Sequence, residues 1–274
     1  MEEIEQAAGI LAGASDVLVF TGAGVSEESG IPTFRGTGGI WERYRPTVYG
    51  TVPGLTAAFA FRRRKLAAFA VEALEAFVQA EPNPAHLAIA ELERMGIVTA
   101  VATQNVDGLH QAAGSSRVLE LHGSAYRVRC RRCGTRIQVP RERLARVVSD
   151  LEGSPSRRRM LAVLREYGEG CECGGGGRPD VVFFGESLPP GVFEEAAERA
   201  SRCDLLLAVG TSGLVMPAAG IPLLAADSGA KVIEVNPLPS GLTRLADLFV
   251  PLAAGRALPA IVEAVKARSD RTPV

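Results

Sequence analysis

Residues 20–36 read FTGAGVSEESGIPTFRG, and their first two residues complete an apolar run that begins at residue 17. Glycines after a buried strand let a backbone approach a pyrophosphate, and the amides of the next helical turn face its charge. Glu27 stands where the third glycine of the dinucleotide fingerprint falls, and no acidic residue ends a second strand about 20 residues later. The stretch therefore predicts a dinucleotide site that does not serve hydride transfer.

Apolar runs of strand length alternate with helical patterns along the chain. The predicted strands are residues 17–21, 97–103, 118–121, 205–210, 232–235 and 248–250. The helical stretches between them include residues 4–12, 85–95, 193–200, 218–226 and 258–267. Strands without polar alternation are typical of a parallel sheet buried on both faces. The fold class is therefore predicted as α/β, a Rossmann-like parallel sheet covered by helices.

Two segments interrupt this alternation, and we predict that they form a smaller zinc-binding and helical domain. The expected large domain comprises residues 1–35, 81–123 and 181–268. The small domain comprises a helical module at 36–80 and a four-cysteine module at 124–180. Residues 269–274 are polar and terminal, and they are expected to be disordered.

Composition narrows the class of protein. The chain has 274 residues and a formal net charge of −1, which gives no general attraction to nucleic acid or to anionic membranes. It has no apolar run of membrane-spanning length, and its acidic first residues, Glu2 and Glu3, differ from the basic start of a signal peptide. We expect a cytoplasmic enzyme without a specific nucleic-acid or membrane partner.

Four of the five cysteines form two close pairs, Cys130-x-x-Cys133 and Cys171-x-Cys173. In a cytosolic chain such pairs favour a metal over disulfides. Four thiolates complete a tetrahedral zinc site and leave no open position for water, so the predicted zinc is structural. The fifth, Cys203, is expected to be a small core residue.

Polar residues end four of the predicted strands, at Thr21, at Gln104 and Asn105, at Thr211, and at Asn236. Since carboxyl ends of parallel strands share one edge of a sheet, these side chains should line one crevice. Asp107 also suits this site. Gln104, Asn105 and Asp107 fit two roles at this stage: turn and cap chemistry, or hydrogen bonds to a ribose and an amide.

Three histidines are candidates for proton transfer. His122 ends a short strand at the entrance to the cysteine module, where a general base near its working pKa is well placed. A structural histidine fits this position equally well. His110 follows a turn and begins a helix, so capping or packing explains it, and His86 is expected to be a satisfied core histidine.

Taken together, these motifs resemble the sirtuin family over nearly the whole chain. Around the four cysteines, six motifs occur in family order: GAGVSEESGIPTFR at 22–35, QNVD at 104–107, LHG at 121–123, RPDVVFFGE at 178–186, GTS at 210–212 and VN at 235–236. The resemblance implies NAD-dependent removal of acyl groups from protein lysines, giving nicotinamide and O-acyl-ADP-ribose. It also implies one structural zinc and acyl-lysine proteins or peptides as partners.

The resemblance also implies roles for individual residues. The ADP part of NAD would be held by Gly22, Ala23, Gly24, Gly210, Thr211, Ser212 and Asn236. The nicotinamide and its ribose would be lined by Ser26, Arg35, Gln104, Asn105 and Asp107. Phe34 would cover the reacting ribose carbon, and His122 would be the base. The substrate backbone would pair, as an added strand, with Val182, Phe183, Phe184, Gly185 and Glu186.

The acyl group is less clearly specified by the resemblance. Thr33 stands where many deacetylases of the family have Asp, which resembles the branch that includes desuccinylases and demalonylases. That branch binds an acidic acyl chain with a Tyr-x-x-Arg pair, and the corresponding residues here are Phe59 and Arg62. Deacetylation is therefore expected, with succinyl and malonyl groups as further candidates. The rival functions are mono-ADP-ribosyl transfer and a non-catalytic module that binds NAD or ADP-ribose.

Overall fold

The computed structural model describes residues 1–33, 38–153 and 156–269. The strands are β1 (Val17–Thr21), β2 (Val98–Thr103), β3 (Val118–Glu120), β4 (Gly123–Cys130), β5 (Arg136–Gln138), β6 (Gly177–Val181), β7 (Leu205–Val209), β8 (Lys231–Val235) and β9 (Leu248–Val250). The helices are α1 (Glu2–Ala12), α2 (Ile40–Arg43), α3 (Pro46–Tyr49), α4 (Val52–Phe61), α5 (Arg63–Gln79), α6 (Pro84–Arg94), α7 (Leu109–Ala112), α8 (Arg141–Leu151), α9 (Arg157–Tyr167), α10 (Val192–Ala200), α11 (Gly220–Asp227) and α12 (Ala254–Ser269).

Six strands form one parallel sheet in the order β3-β2-β1-β7-β8-β9. Every neighbouring pair in it is parallel. The strand order reverses beside β1, as it does in a doubly wound nucleotide-binding sheet, and that reversal opens a crevice at the carboxyl ends. The predicted Rossmann-like α/β fold is confirmed.

Helices cover both faces of this sheet, which explains why its strands lack polar alternation. On β1, Val17 and Val19 pack into the core beneath α1, α6 and α12, whereas Leu18 and Phe20 face the core beneath α10 and α11. All four side chains are fully buried. A strand buried on both faces requires apolar side chains at successive positions.

A second, three-stranded antiparallel sheet, β5-β4-β6, lies outside the parallel sheet. Helices α5, α8 and α9 pack with β4 around a separate apolar core that includes Val128, Leu144 and Tyr167. Cys130 ends β4 and pairs across to Gly177 of β6, so this small sheet carries one end of the cysteine module. Cys203 is buried in the core under α10 and α11, as expected.

Three local expectations can be compared with the structure, and only the start of the C-terminal tail differs. The helical turn expected after β1 is formed by two short 3-10 turns, Ala23–Val25 and Glu27–Ser29. Helix α7 begins at Leu109 with Gly108 at the N-cap position, and the Asp107 carboxylate accepts the Leu109 N–H, which agrees with the turn and cap chemistry considered for it. Helix α12 includes Ser269, where the tail was expected to begin, and residues 270–274 lie outside the described residues.

Within the described part of the chain, the helices are too short or too polar to cross a bilayer.

Candidate active site

The loop after β1 lies directly against the loop after β7. Gly24 N–H donates to the carbonyl oxygen of Gly210 over 2.8 Å. A Cβ atom on Gly24 would come within 2.9 Å of the Gly210 backbone, and Gly210 itself has a left-handed φ of 59°. Both glycines are therefore needed for two strand-end loops to meet, before any ligand is considered.

A hydrogen-bonded row joins the ends of β2, β7 and β8. Gln104 Nε2 donates to Thr211 Oγ1 over 2.9 Å, and Asn236 Nδ2 donates to the Thr211 carbonyl oxygen over 2.9 Å. Fully buried Glu234 accepts from Asn236 over 3.3 Å and from the Thr243 hydroxyl over 2.6 Å. The predicted strand-end residues thus form one connected edge.

Ser26, Asn105 and Asp107 form a buried cluster beside this edge. Asn105 Nδ2 donates to Ser26 Oγ over 2.9 Å, and the Ser26 hydroxyl donates to Asp107 Oδ2 over 2.8 Å. Leu109 N–H donates to the other carboxylate oxygen over 3.0 Å. Burial raises the pKa of the Asp107 carboxyl above its usual value, while these hydrogen bonds act in the opposite direction.

His122 lies at the wall of the cleft, where β3 leads into β4. Its Nδ1 atom is 3.0 Å from the carbonyl oxygen of Gln104. A carbonyl oxygen only accepts, so the imidazole proton is on Nδ1 and Nε2 keeps its lone pair. Burial lowers the pKa of His122 below its usual value, so the neutral, basic form predominates at neutral pH.

These groups face a cleft of about 1700 Å³ that extends well beyond them. At its polar end it is lined by Gly22, Gly24, Gln104, Asn105, His122, Thr211, Ser212 and Asn236. Its other end runs between α4, α5, α8 and α9 and is lined by apolar side chains, including Leu55, Phe59, Leu66, Ala70, Leu74, Val147, Leu151, Met160, Val163 and Leu164. The volume exceeds the roughly 300–1,000 Å³ of a typical small-molecule pocket.

Residues 182–186, predicted to bind a substrate backbone, line the same cleft. The N–H groups of Val182 and Phe184 already donate to the carbonyl oxygens of His122 and Gly50, over 3.0 and 2.8 Å. Phe183 N–H donates to Glu186, whose carboxylate also pairs with Arg178. Donation to a substrate strand by these three N–H groups therefore requires the turn to rearrange.

The four paired cysteines come together on the small sheet. The Sγ atoms of Cys130 and Cys173 are 3.5 Å apart, and those of Cys133 and Cys171 are 3.4 Å apart. All four Sγ atoms lie within 4.8 Å of one another. Zinc–sulfur bonds of 2.3 Å place tetrahedral ligands about 3.8 Å apart, so this cluster fits one zinc ion. Because four thiolates leave no coordination position for a substrate, a zinc ion held here would be structural and would take no part in chemistry in the cleft.

The remaining predicted site residues are placed as follows. Ala23 and Gly185 also line the cleft, and Ser26 is fully buried behind it. Phe59 lies in the apolar wall, but Arg62 is exposed and is not among the described residues that line the cleft. Phe34 and Arg35 lie outside the described residues.

Sequence reasoning missed three residues that support this site. Glu234 was treated as part of an apolar strand, although a carboxylate inside Lys-Val-Ile-Glu-Val was a usable signal. His86 is the fully buried, hydrogen-bonded core histidine that was expected, but its position 3.4 Å from Ser26 Oγ, measured from Nε2, was not predicted. His110 Nε2 is 3.0 Å from Thr21 Oγ1. No local pattern distinguishes these histidines from ordinary core residues.

A Rossmann-like sheet with a polar crevice, joined to a thiol cluster and an apolar channel, defines an enzyme of the nucleotide-binding α/β class. The sequence model of the Sir2 family matches residues 22–217. An NAD-dependent protein deacylase of Desulfosudis oleivorans is 48% identical over 267 residues, covering 96% of each chain.

Solved structures of the same family share the fold. One comes from work on the structural basis for the mechanism and regulation of Sir2 enzymes. It is 43% identical to this chain, with a TM-score of 0.78, and the match covers 97% of this chain and 99% of that chain. Another, Sir2Af2 bound to a myristoylated histone peptide, is 37% identical, with a TM-score of 0.73 and 99% coverage of both.

The chain therefore belongs to the Sir2 family, and the resemblance to sirtuins is confirmed. It is an NAD-dependent deacylase, with NAD as co-substrate and a four-cysteine cluster that could hold a structural zinc. The rival readings as a transferase or a non-catalytic NAD module are not favoured.

Proposed function

We propose that this enzyme removes long apolar acyl groups, as well as acetyl groups, from lysine side chains of proteins. The observation that carries the proposal is the continuity of one cleft, in which the polar end at His122 opens into an apolar channel. Burying hydrocarbon contributes about 0.8 kcal/mol of binding free energy per CH₂ group. Each carbon added to the acyl chain can therefore raise kcat/KM by up to about fourfold. The related Sir2Af2 has been solved with a myristoylated histone peptide.

Arg62 argues against an acidic acyl chain as the preferred substrate. Its side chain is exposed and lies outside the described lining of the cleft. Phe59, in the wall, lacks the hydroxyl that the Tyr of the Tyr-x-x-Arg pair supplies. The guanidinium carbon of Arg157 lies over the Phe59 ring, 6.0 Å from the ring centre. Succinyl or malonyl removal is therefore expected to be slower than removal of an apolar chain of similar length.

The polar end supports the following assignment. Gln104, Asn105 and Asp107, with Ser26 behind them, bind the nicotinamide and its ribose. The ADP part lies along the strand ends at Gly22, Ala23, Gly24, Gly210, Thr211, Ser212 and Asn236. Phe34 and Arg35 keep their proposed roles over the reacting ribose and beside nicotinamide. The substrate backbone binds along residues 182–186, whose side of the cleft adjoins His122.

NAD supplies the ribose carbon that receives the acyl oxygen, with nicotinamide as the leaving group. His122 then accepts a proton at Nε2 from a ribose hydroxyl, which takes over the acyl group. One water molecule then adds to the acyl carbon and the lysine amine departs from it, so the products are free lysine, nicotinamide and O-acyl-ADP-ribose. The cysteine cluster holds zinc as a structural element and takes no part in these steps. Paired cysteine ligands of this kind fit a reducing compartment, so we propose a cytoplasmic location.

One peptide sequence carrying acetyl, succinyl, decanoyl or myristoyl lysine tests the proposal. Nicotinamide release and peptide mass are followed with NAD present, for the wild type and Arg62→Ala. We expect decanoyl and myristoyl peptides to give higher kcat/KM than acetyl, with succinyl lowest and insensitive to Arg62→Ala. A gain of ADP-ribose mass on the peptide would identify a transferase instead. A preference for succinyl would reject the apolar channel as the acyl site.

A further inference from the structure

Two histidines lie buried next to each other behind the polar end of the cleft. His86 and His110 are 0% and 1% exposed, and their ring centres are 4.9 Å apart. Neither is among the described residues that line the cleft, so neither contacts a ligand there. Burial lowers the pKa of His86 to about 4 and that of His110 to about 3, so both rings are neutral near pH 7.

The tautomer of His86 follows from its neighbours. Asn83 N–H donates to Nδ1 over 3.3 Å, so the ring proton is on Nε2. Nε2 lies 3.4 Å from Ser26 Oγ, which itself donates to Asp107 and accepts from the Asn105 side chain. His86 therefore supports the side-chain end of Asn105 through Ser26.

His110 reaches the other end of Asn105. The Thr21 hydroxyl donates to Thr103 Oγ1 over 2.8 Å, so Thr21 Oγ1 accepts from His110 Nε2–H over 3.0 Å. Thr103 Oγ1 also accepts the backbone N–H of Asn105, over 3.0 Å. The Nδ1 atom of His110 has no hydrogen-bond partner within the described chain, which fits an unprotonated nitrogen there.

We propose that His110 is a positioning residue, whose Nε2–H, acting through the hydroxyls of Thr21 and Thr103, fixes the backbone amide of Asn105 at the nicotinamide end of the cleft. The two imidazoles thus hold Asn105 from both sides. This inference rests on the proposed function, in which Asn105 binds the nicotinamide and its ribose. A neutral ring is required because an imidazolium would bring a second N–H into a buried site without an acceptor.

Matched substitutions separate this role from simple packing. His110→Leu removes the donor, whereas the amide of His110→Gln places a donor near the Nε2 position. Thr21→Val removes the relay hydroxyl at constant shape, and Thr21→Ser keeps it. Cys203→Ala serves as a control for a buried substitution elsewhere in the core. Thermal midpoints are recorded for every variant.

The rate of nicotinamide release at saturating NAD is compared with the Kd for ADP-ribose. We expect His110→Leu and Thr21→Val to slow release by about tenfold to a hundredfold, with Kd for ADP-ribose changed little. His110→Gln and Thr21→Ser should restore most of the rate. If His110→Leu does not fold, the Thr21 pair decides. Equal rates in Thr21→Val and wild type, or a proportional loss of ADP-ribose binding, would overturn the proposal.

A measurement independent of turnover uses ¹⁵N NMR of the imidazoles and amides. The proton of His110 should be on Nε2, and the Asn105 amide resonance should move in His110→Leu but return in His110→Gln. A proton on Nδ1, or no movement of the Asn105 amide, would overturn the positioning role. If wild type released no nicotinamide while these NMR results held, the proposed function would fail and the positioning of Asn105 would stand.

Discussion

The Nδ1 atom of His122 lies 3.0 Å from the carbonyl oxygen of Gln104, two residues that are 18 positions apart. This one hydrogen bond sets the tautomer of the imidazole and leaves Nε2 free to accept a proton. Gln104 also donates from its side chain to Thr211. Gln104, which orients the proposed base, therefore also belongs to the hydrogen-bonded row that joins the ends of β2 and β7.

Replacing the base should separate the two halves of the reaction. His122→Ala is expected to lower the rate of deacylation by about 10²- to 10⁴-fold, the usual contribution of a positioned general base. Release of nicotinamide should fall much less, because the base acts after that bond has broken. Both are measured by product analysis of one reaction. Equal deacylation by wild type and His122→Ala would remove His122 from the mechanism.

The pH dependence has a defined sign. His122 must be neutral to accept a proton, and burial holds its pKa below the usual 6.5. The reactive form is therefore present above that lowered pKa and lost as the pH falls through it. We expect the acid limb of kcat/KM to lie below pH 6.5, measured in the free-enzyme profile. An acid limb above that value would contradict the burial effect.

Filling the apolar channel should change acyl preference without abolishing catalysis. Ala70→Phe adds a ring inside the channel, whereas Ala68→Phe adds the same ring on the exposed side of the same helix, α5. We expect Ala70→Phe to lower kcat/KM for myristoyl peptide by at least about tenfold, with a smaller change for acetyl peptide. Ala68→Phe should behave as wild type. Equal effects on both acyl groups in Ala70→Phe would reject the channel as the acyl site.

The contact between Gly24 and Gly210 should not tolerate a side chain. In Gly24→Ala the new methyl group would lie within 2.9 Å of the Gly210 backbone. Overpacking of this kind costs about 1–3 kcal/mol and would also separate the loops that we propose bind ADP-ribose. Gly9→Ala is the control, since Gly9 is exposed in α1 and helical Ala is favoured by up to about 1 kcal/mol. Urea unfolding and ADP-ribose titration measure both effects, and wild-type values for Gly24→Ala would refute the clash.

The cysteine cluster should bind one zinc per chain. Cys130→Ser is expected to reduce the zinc content measured by mass spectrometry, and to destabilise the small sheet that carries the ligands. Cys203→Ala should keep the full zinc content, because Cys203 lies in the core of the parallel sheet. Retention of one zinc equivalent by Cys130→Ser would show that the metal is held elsewhere.

Local patterns were sufficient for the sheet and for the residue types at its edge. The apolar run at 17–21 predicted β1 because a strand covered on both faces needs apolar residues at successive positions, and the structure confirms it. Because the carboxyl ends of parallel strands share one edge of a sheet, Gln104, Thr211 and Asn236 were then predicted to lie close together. The paired spacing of Cys130 with Cys133 and of Cys171 with Cys173 predicted a common cluster, which the Sγ distances support.

Short-range sequence patterns were enough to predict the six strands of the parallel sheet, their polar ends and the paired cysteines, because each depends on residues that are near neighbours in the chain. They did not predict the small sheet of β4, β5 and β6. Three features emerged only from the folded chain: Gly24 packs on Gly210, His110 supports Asn105 through Thr21, and an apolar channel continues from His122. Hydrophobic periodicity reports which side of a helix or strand is buried. It carries no information about which distant element covers that side, so contacts between residues far apart in sequence arise only when the packed core brings them together.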